Sequence, residues 1–401
     1  MINNIVIVSA CRTPFDKYGG AMKSIPSFEI AADVMVKCLE RVNFKKEDVP
    51  FITYGTTIHA EVGPYVNVPV RQALLKAGFP ATTKSVTVDR ACCSSMTGLM
   101  WACREIQVGE IDVALAVGAE NLSNVPYSVS SKARWGLKLG TIDFFDVNAG
   151  FNYIGFGPVS VDADKVAKEY GVDRQEMDEW SARSHRKYKE AFDAGKFKDE
   201  VVPFVVHERK GDIVMEADVA PRPDTTVESL SKLKPVYGTE AITAGNAPGL
   251  NTGASAILIM TEEKAKEYGL EPLAYIRDFD CQCADPGYIA TVPALVTKSL
   301  LERNNLVPED LEAVEINEAF AAMPLVSSKI ITDFDPDRRK AFLEKTNVNG
   351  GAVAIGHPMG ASGLRLIMTL MYELRRRGGG KGIACLCGGL AQGDGFLIEV
   401  K

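Results

Sequence analysis

Residues 39–48 read L-E-R-V-N-F-K-K-E-D and residues 301–310 read L-E-R-N-N-L-V-P-E-D, six identities in ten at an offset of 262. In both places an apolar helical stretch precedes the segment and an apolar strand-like run follows it (FITYG from Phe51, AVEIN from Ala313). A second pair keeps nearly the same register. Cys92 opens C-x5-G ending at Gly98, His357 opens H-x5-G ending at Gly363, and both offsets are 265. Each stands among small residues ahead of an apolar helix (MTGLMWACREI, GLRLIMTLMYEL), and a small-residue strand closes each unit (VALAVGA, IACLCGG). Two matches in register predict a duplicated unit.

Around these repeats, short β-branched runs alternate with helical stretches: IVIVSA, a helix near Phe28–Val42, FITYGTT, and a helix near Val68–Ala77. That alternation predicts an α/β protein with mostly buried sheets. Residues 121–242 differ, carrying Trp135, a charged helix from Asp173 to Ala194 and the turn-rich joints ERKGD and APRPD. The expected division is residues 1–120 plus 243–269 as one half, 121–242 as an insert, and 270–401 as the other half.

Composition bounds the function. The chain has 401 residues, 46% hydrophobic and 24% charged, and its 45 Lys+Arg against 52 Asp+Glu leave a charge of −7. The apolar fraction excludes a disordered chain, and no stretch approaches eighteen uninterrupted apolar residues, so no membrane partner is expected. An acidic balance argues against nucleic acid, while leaving room for a local basic patch that holds an anionic small ligand. The opening MINNIVIVSACRTPF reads as a first strand and not a signal peptide. Nine cysteines are too sparse for a disulfide scaffold and form no zinc-type set, so no metal is expected. A reducing, cytoplasmic setting follows.

Few residues can carry chemistry. Of four histidines, His59, His185 and His207 read as structural. His357 lies in N-G-G-A-V-A-I-G-H-P-M-G-A-S-G, where five glycines permit close backbone approach and the following helix offers its N-terminal amides to an anion or oxyanion. In V-D-R-A-C-C-S-S-M-T-G, Cys92 and Cys93 compete for the corresponding strand-to-helix joint, where a helix N-terminus favours thiolate. The register with His357 favours Cys92. Cys387, in A-C-L-C-G-G-L-A-Q-G-D-G, ends a buried strand of the unit that carries His357, and Asn317, in N-E-A-F-A, ends another strand of the same unit.

Together the Cys92 segment, Asn317-Glu318-Ala319-Phe320, G-H-P-M-G-A-S-G at His357 and Cys387-Gly388-Gly389 resemble the four active-site segments of the thiolases. P-V-R-Q at Pro69, S-N-V-P-Y at Ser123 and T-A-G-N-A at Thr243 extend the resemblance over nearly the whole chain. It implies the thiolase fold: two similar αβ halves in a five-layered αβαβα sandwich with an inserted loop domain. It also implies roles. Cys92 is the nucleophile that carries the acyl group, His357 activates it, and Cys387 exchanges the proton at the substrate α-carbon. Asn317 (through a water) and His357 form one oxyanion hole, and the backbone amides of Cys92 and Gly389 form the other. Coenzyme A is substrate, no cofactor is bound permanently, and the kinetics are ping-pong. Arg222 and Ser229 fall where the family holds the nucleotide end of CoA, with Lys232 and Lys234 adding charge. A homodimer or homotetramer is expected, the latter through Trp135 and K-A-R-W-G-L-K.

The sequence departs from the pattern at Asp89, Ser95 and Pro248, in V-S-V-D-A-D from Val159, at Ile289, and in G-L-A-Q-G from Gly389. No catalytic group is lost, but the acyl-pocket wall is changed, so a longer, branched or aromatic 3-oxoacyl-CoA is expected. Claisen-condensing relatives lack the second cysteine, which Cys387 supplies. A non-catalytic acyl-CoA or lipid-binding relative would lack the cysteine or histidine, and both are present.

Overall fold

Strand β5 (Val113–Asn121) explains the layering, because it alternates on two buried faces. Ala114 and Ala116 point into one apolar core, and Val113, Leu115 and Val117 into another. A strand covered on both sides reads as a continuous apolar run. The computed structural model describes residues 4–61, 67–150, 153, 155–236 and 238–401.

The chain starts with β1 (Ile5–Arg12), β2 (Asp16–Lys17), α1 (Ser27–Glu40), β3 (Phe51–Gly55), α2 (Pro69–Lys76), β4 (Lys84–Val88), α3 (Ser94–Gln107) and then β5. The next segment carries β6 (Tyr127–Val129), β7 (Phe144–Asp146), α4 (Val159–Glu169), α5 (Arg174–Asp193), β8 (Phe204–Glu208), β9 (Gly211–Met215) and α6 (Val227–Ser231). There follow β10 (Asn251–Thr261), α7 (Glu262–Glu267), β11 (Ala274–Cys283), α8 (Val292–Arg303), β12 (Ala313–Ile316), α9 (Ala322–Ile331) and α10 (Pro336–Glu344). The chain closes with α11 (Ala352–Ile355), α12 (Met359–Arg376), β13 (Gly380–Gly388) and β14 (Gln392–Val400).

The main sheet runs β12-β13-β14-β11-β1-β10-β5-β3-β4, with β2 paired to β10. Its two halves are joined where Ile5–Ile7 of β1 pair antiparallel with Ala274–Ile276 of β11. Helices α3 and α12 lie between the halves: α3 packs on β3 and β5, while α12 reaches both β5 and β13. Outside them, α1 covers β10 and β5, and α8 covers β14 and β11. The result is the five-layered αβαβα sandwich. Among the described residues four apolar cores are formed, the central one built around Met96, Leu99, Leu364 and Leu366. In β13, Ala384 and Leu386 face that central core, and Ile383, Cys385 and Cys387 the outer one. Among the described residues, no helix is long and apolar enough to cross a membrane.

The two halves are not equal at their edges. β3 pairs parallel with β4 over five residues. In the second half, the corresponding neighbour of β12 is a single parallel bridge between Val314 and Thr346. The segment before His357 is also different, since the short helix α11 occupies it. The hairpins β6-β7 and β8-β9, like α4, α5 and α6, lie outside the main sheet. The charged helix expected over 173–194 is α5, where the Asp173 carboxylate caps the helix by accepting the Glu176 N–H at 2.8 Å.

Candidate active site

Two helix starts are brought together by close backbone packing. A Cβ on Gly55 would lie 2.3 Å from the Ser95 nitrogen, and one on Gly118 would lie 2.1 Å from the Gly360 oxygen. Only glycine lets the beginnings of α3 and α12 sit this near the ends of β3 and β5. The buried Glu120 carboxylate then ties the loops, accepting N–H groups from Thr57 at 2.9 Å, Ile58 at 3.0 Å and Gly360 at 3.0 Å. Burial raises its carboxyl above the usual range, and those amides oppose the rise. Gly356 stands at φ +109°, where its missing Cβ makes room for the Asn251 side chain. Asn251 Oδ1 in turn accepts the His357 N–H at 2.9 Å.

His357 Nε2 lies 3.1 Å from Cys92 Sγ. Its other nitrogen, Nδ1, lies 2.7 Å from Ser362 Oγ. The Ser362 hydroxyl also lies 2.9 Å from the Pro358 carbonyl, to which it can only donate. With its proton given to that carbonyl, Ser362 accepts from Nδ1–H, the tautomer that leaves Nε2 free to take a proton from the thiol. Asn317 Nδ2 approaches the same nitrogen, Nε2, at 3.5 Å. Buried Arg365 fixes that amide, pairing with Glu315 at 3.1 Å and donating to Asn317 Oδ1 at 3.5 Å.

The thiol is not held as thiolate. Cys92 is half-buried at the cavity floor, with protein around it, and burial pushes its thiol up to about 12. This overturns the expectation that a helix end lowers it. The reason is magnitude: a helix terminus contributes about 0.3–1 kcal/mol, less than the loss of thiolate solvation. Cys92 also precedes the first helical residue, Ser94, by two positions. Burial, followed by the Arg365 charge, lowers His357 to about 3. The resting pair is a neutral thiol beside a neutral imidazole.

A cavity of about 550 Å³ holds Cys92, His357, Cys387 and Gly389 on its walls, with Phe320, Met359 and Ile289. Cys387 is fully buried, and its thiol is raised well above the ordinary value, first by burial and then by Cys92. Cys93 is buried and turned toward Gly388, where a Cβ would meet its Sγ at 2.8 Å. Arg90 clamps the Cys92 loop to β14, donating to Gln392 Oε1 at 3.0 Å and Asp394 Oδ1 at 2.6 Å. Ala91, next to the thiol, adopts φ +51°, a strained conformation for a residue with a Cβ.

Asn317 is buried beside His357 and does not line the cavity. Arg222 and Ser229 are exposed and stand apart from that wall. The Arg222 N–H donates to His185 Nδ1 at 3.2 Å, and the Ser229 hydroxyl serves the capping box of α6 with Thr226. Of the other histidines, His207 pairs with Asp212 at 2.8 Å on an exposed hairpin, and His59 Nε2 is buried without a partner among the described residues. Among the described residues, no group of three or more His, Cys, Asp or Glu is arranged to hold a metal. Sequence reasoning missed Ser362, Asn251, Glu120 and Arg365. Only Ser362 had a usable signal, standing five residues after His357 and one turn into α12.

Comparison with known proteins gives one direction. A family model described as the thiolase N-terminal domain matches residues 5–263, and the thiolase C-terminal domain matches residues 270–400. An acetyl-CoA acetyltransferase of Cupriavidus necator is 38% identical, covering 100% of each chain, and one of Syntrophomonas wolfei is 35% identical with the same coverage. The crystal structure of human mitochondrial 3-ketoacyl-CoA thiolase superposes with a TM-score of 0.93 at 33% identity, covering 100% of both chains. That human protein in complex with CoA gives a TM-score of 0.92 at 33% identity, covering 100% of this chain and 98% of the other.

Proposed function

The chain belongs to the thiolase family and is an acyltransferase, and from that premise we propose that it cleaves a 3-oxoacyl-CoA reversibly through an acyl group held on Cys92. The observation that carries this reading is His357 Nε2 at 3.1 Å from Cys92 Sγ, in a cavity shared with Cys387. Neutral His357 takes the thiol proton as Cys92 Sγ attacks the 3-oxo carbonyl. The bond between the α- and β-carbons breaks, its electron pair passes to the leaving acetyl-CoA, and Cys387 protonates that carbon. The thiol of free CoA then attacks acyl-Cys92 and releases the shortened acyl-CoA, in ping-pong order. Run backwards, the same steps form a carbon–carbon bond.

Oxyanion stabilisation is assigned to Asn317 (through a water) with His357, and to the backbone amides of Cys92 and Gly389. CoA is assigned as a substrate, a reading supported by the human relative solved in complex with CoA. Here Arg222 and Ser229, with Lys232 and Lys234 nearby, are assigned to its nucleotide end. We also assign residues 121–242 as the insert between halves 1–120 plus 243–269 and 270–401. A homodimer is supported by β4, an edge strand with Ser85, Val86 and Thr87 only partly covered, and exposed Trp135 is assigned to a further tetramer contact. Light scattering that finds an active monomer contradicts the assembly.

Val159 and Ile289, both on the cavity wall, present short branched side chains there. A wall relieved by one or two methylenes favours a longer chain by about 1–3 kcal/mol, or roughly 10–200-fold. Some longer, branched or aromatic 3-oxoacyl-CoA is therefore expected to exceed acetoacetyl-CoA in kcat/KM for CoA-dependent cleavage. A substrate panel decides it. If acetoacetyl-CoA exceeds every larger substrate by about tenfold, the specificity assignment is wrong. If CoA cleaves none of them, the thiolase reaction itself is wrong.

A further inference from the structure

The catalytic cavity holds a hydroxyl that the cleavage steps do not use. Tyr153, half-buried in the segment between β7 and α4, lines it with Cys92, Cys387 and Gly389. What Gly389 lacks defines the place of this hydroxyl. A Cβ on Gly389 would fall 1.7 Å from the phenol oxygen and 2.7 Å from the ring carbon that bears it. The Tyr153 oxygen therefore sits where a side chain of residue 389 would begin. That same point lies 3.4 Å from the Cβ of Ala91, the residue before the nucleophile. The hydroxyl thus stands between the loop that carries Cys92 and the turn that carries Gly389, the two residues whose backbone amides are assigned to one oxyanion hole. Burial raises the phenol to about 12, and Cys92, Asp89 and Cys387 add to the rise, so both catalytic sulfurs are within its electrostatic reach. The phenol keeps its proton at neutral pH. Among the described residues it has no hydrogen-bond partner to receive it.

We propose that Tyr153 is a further catalytic residue, whose hydroxyl donates to the oxyanion formed when Cys92 attacks a carbonyl, as a third donor beside the amides of Cys92 and Gly389. This rests on the thiolase reading and adds a group to it. No bond to the phenol oxygen is made or broken. The carbonyl electron pair moves onto the acyl oxygen as Sγ attacks, and returns to carbon when the carbon–carbon or carbon–sulfur bond breaks. A donor aimed at charge that exists only in between stabilises the transition state more than the bound substrate. The enolate of leaving acetyl-CoA carries its charge on another atom, the thioester oxygen. The hole that includes the Cys92 amide belongs to the carbon bonded to Cys92 Sγ, so the enolate falls to Asn317 and His357.

Tyr153→Phe removes only the hydroxyl and tests the assignment. With an unchanged melting temperature, the variant is expected to lose about 10- to 100-fold in kcat for CoA-dependent cleavage and in acetyl uptake on Cys92, with KM unchanged. Exchange of the α-protons of acetyl-CoA, measured on enzyme already acetylated, should keep its wild-type rate. A loss below about threefold overturns the proposal. A raised KM with kcat unchanged also overturns it, giving the hydroxyl to pantetheine. Exchange that falls together with acylation overturns it too, because the phenol then serves the enolate or the fold. Gly389→Ala is the second variant: its methyl group displaces the phenol oxygen and leaves the backbone amide in place. It should repeat the loss of Tyr153→Phe, and the double variant should lose no more than either alone. Losses that multiply separate Tyr153 from Gly389 and contradict the shared hole. Failure of the thiolase reading is seen separately, as wild-type protein that takes up no acetyl group on Cys92.

Discussion

Cys387→Ala is expected to take up acyl groups on Cys92 at close to the wild-type rate while losing about 10²–10⁴-fold in CoA-dependent cleavage and in condensation. The thiol stands in the same cavity as Cys92 but outside the contact between Cys92 and His357. Burial raises it well above the ordinary thiol value, so it rests as a protonated donor, as the proposed protonation of the leaving carbon requires. Transfer from a simple acyl-CoA creates no carbanion and has no need of it. Exchange of the α-protons of acetyl-CoA in deuterated solvent should fall with cleavage. A variant that keeps more than about a tenth of wild-type cleavage, against the 10²–10⁴-fold a positioned acid or base supplies, removes Cys387 from its assigned role.

His357→Ala should fail one step earlier, losing about 10²–10⁴-fold in acylation itself. The thiol of Cys92 is raised to about 12, so without a base almost none is ionised at neutral pH. The same reasoning sets the pH profile of wild type. A histidine lowered to about 3 is neutral, and able to accept a proton, at every pH above that value. Acylation measured by rapid quench should therefore be level between about pH 5 and 9, with no acidic limb at the ordinary imidazole value. A limb centred near 6.5, the value of an unperturbed histidine, contradicts the neutral pair.

The parts of this site that could be read in the sequence were those written locally. The repeat at Leu39 and Leu301 announced two related units, and the shared C-x5-G and H-x5-G register set Cys92 against His357 across 265 residues. The small residues of VALAVGA became intelligible as a strand buried on both faces. What stayed hidden depends on distant contacts. Glu120 and Gly360 are 240 positions apart, and Asn251 and His357 are 106 apart, so neither pairing has a local signature. Desolvation was equally invisible, and it reversed the thiol's shift because local rules include the helix end and omit the surrounding protein. The loss of an edge strand beside β12 also escaped, since a single bridge at Thr346 leaves no β pattern to read.

Mass spectrometry of the intact and digested protein, quenched soon after mixing with acetyl-CoA in the absence of a second substrate, tests the assignment of the nucleophile most directly. One acetyl group is expected on the peptide containing Cys92 and Cys93, and fragmentation should place it on Cys92, whose sulfur lies 3.1 Å from His357 Nε2. Acetyl on Cys93, which is buried against Gly388, or a wild-type protein that takes up no acetyl at all, would contradict the covalent route through Cys92.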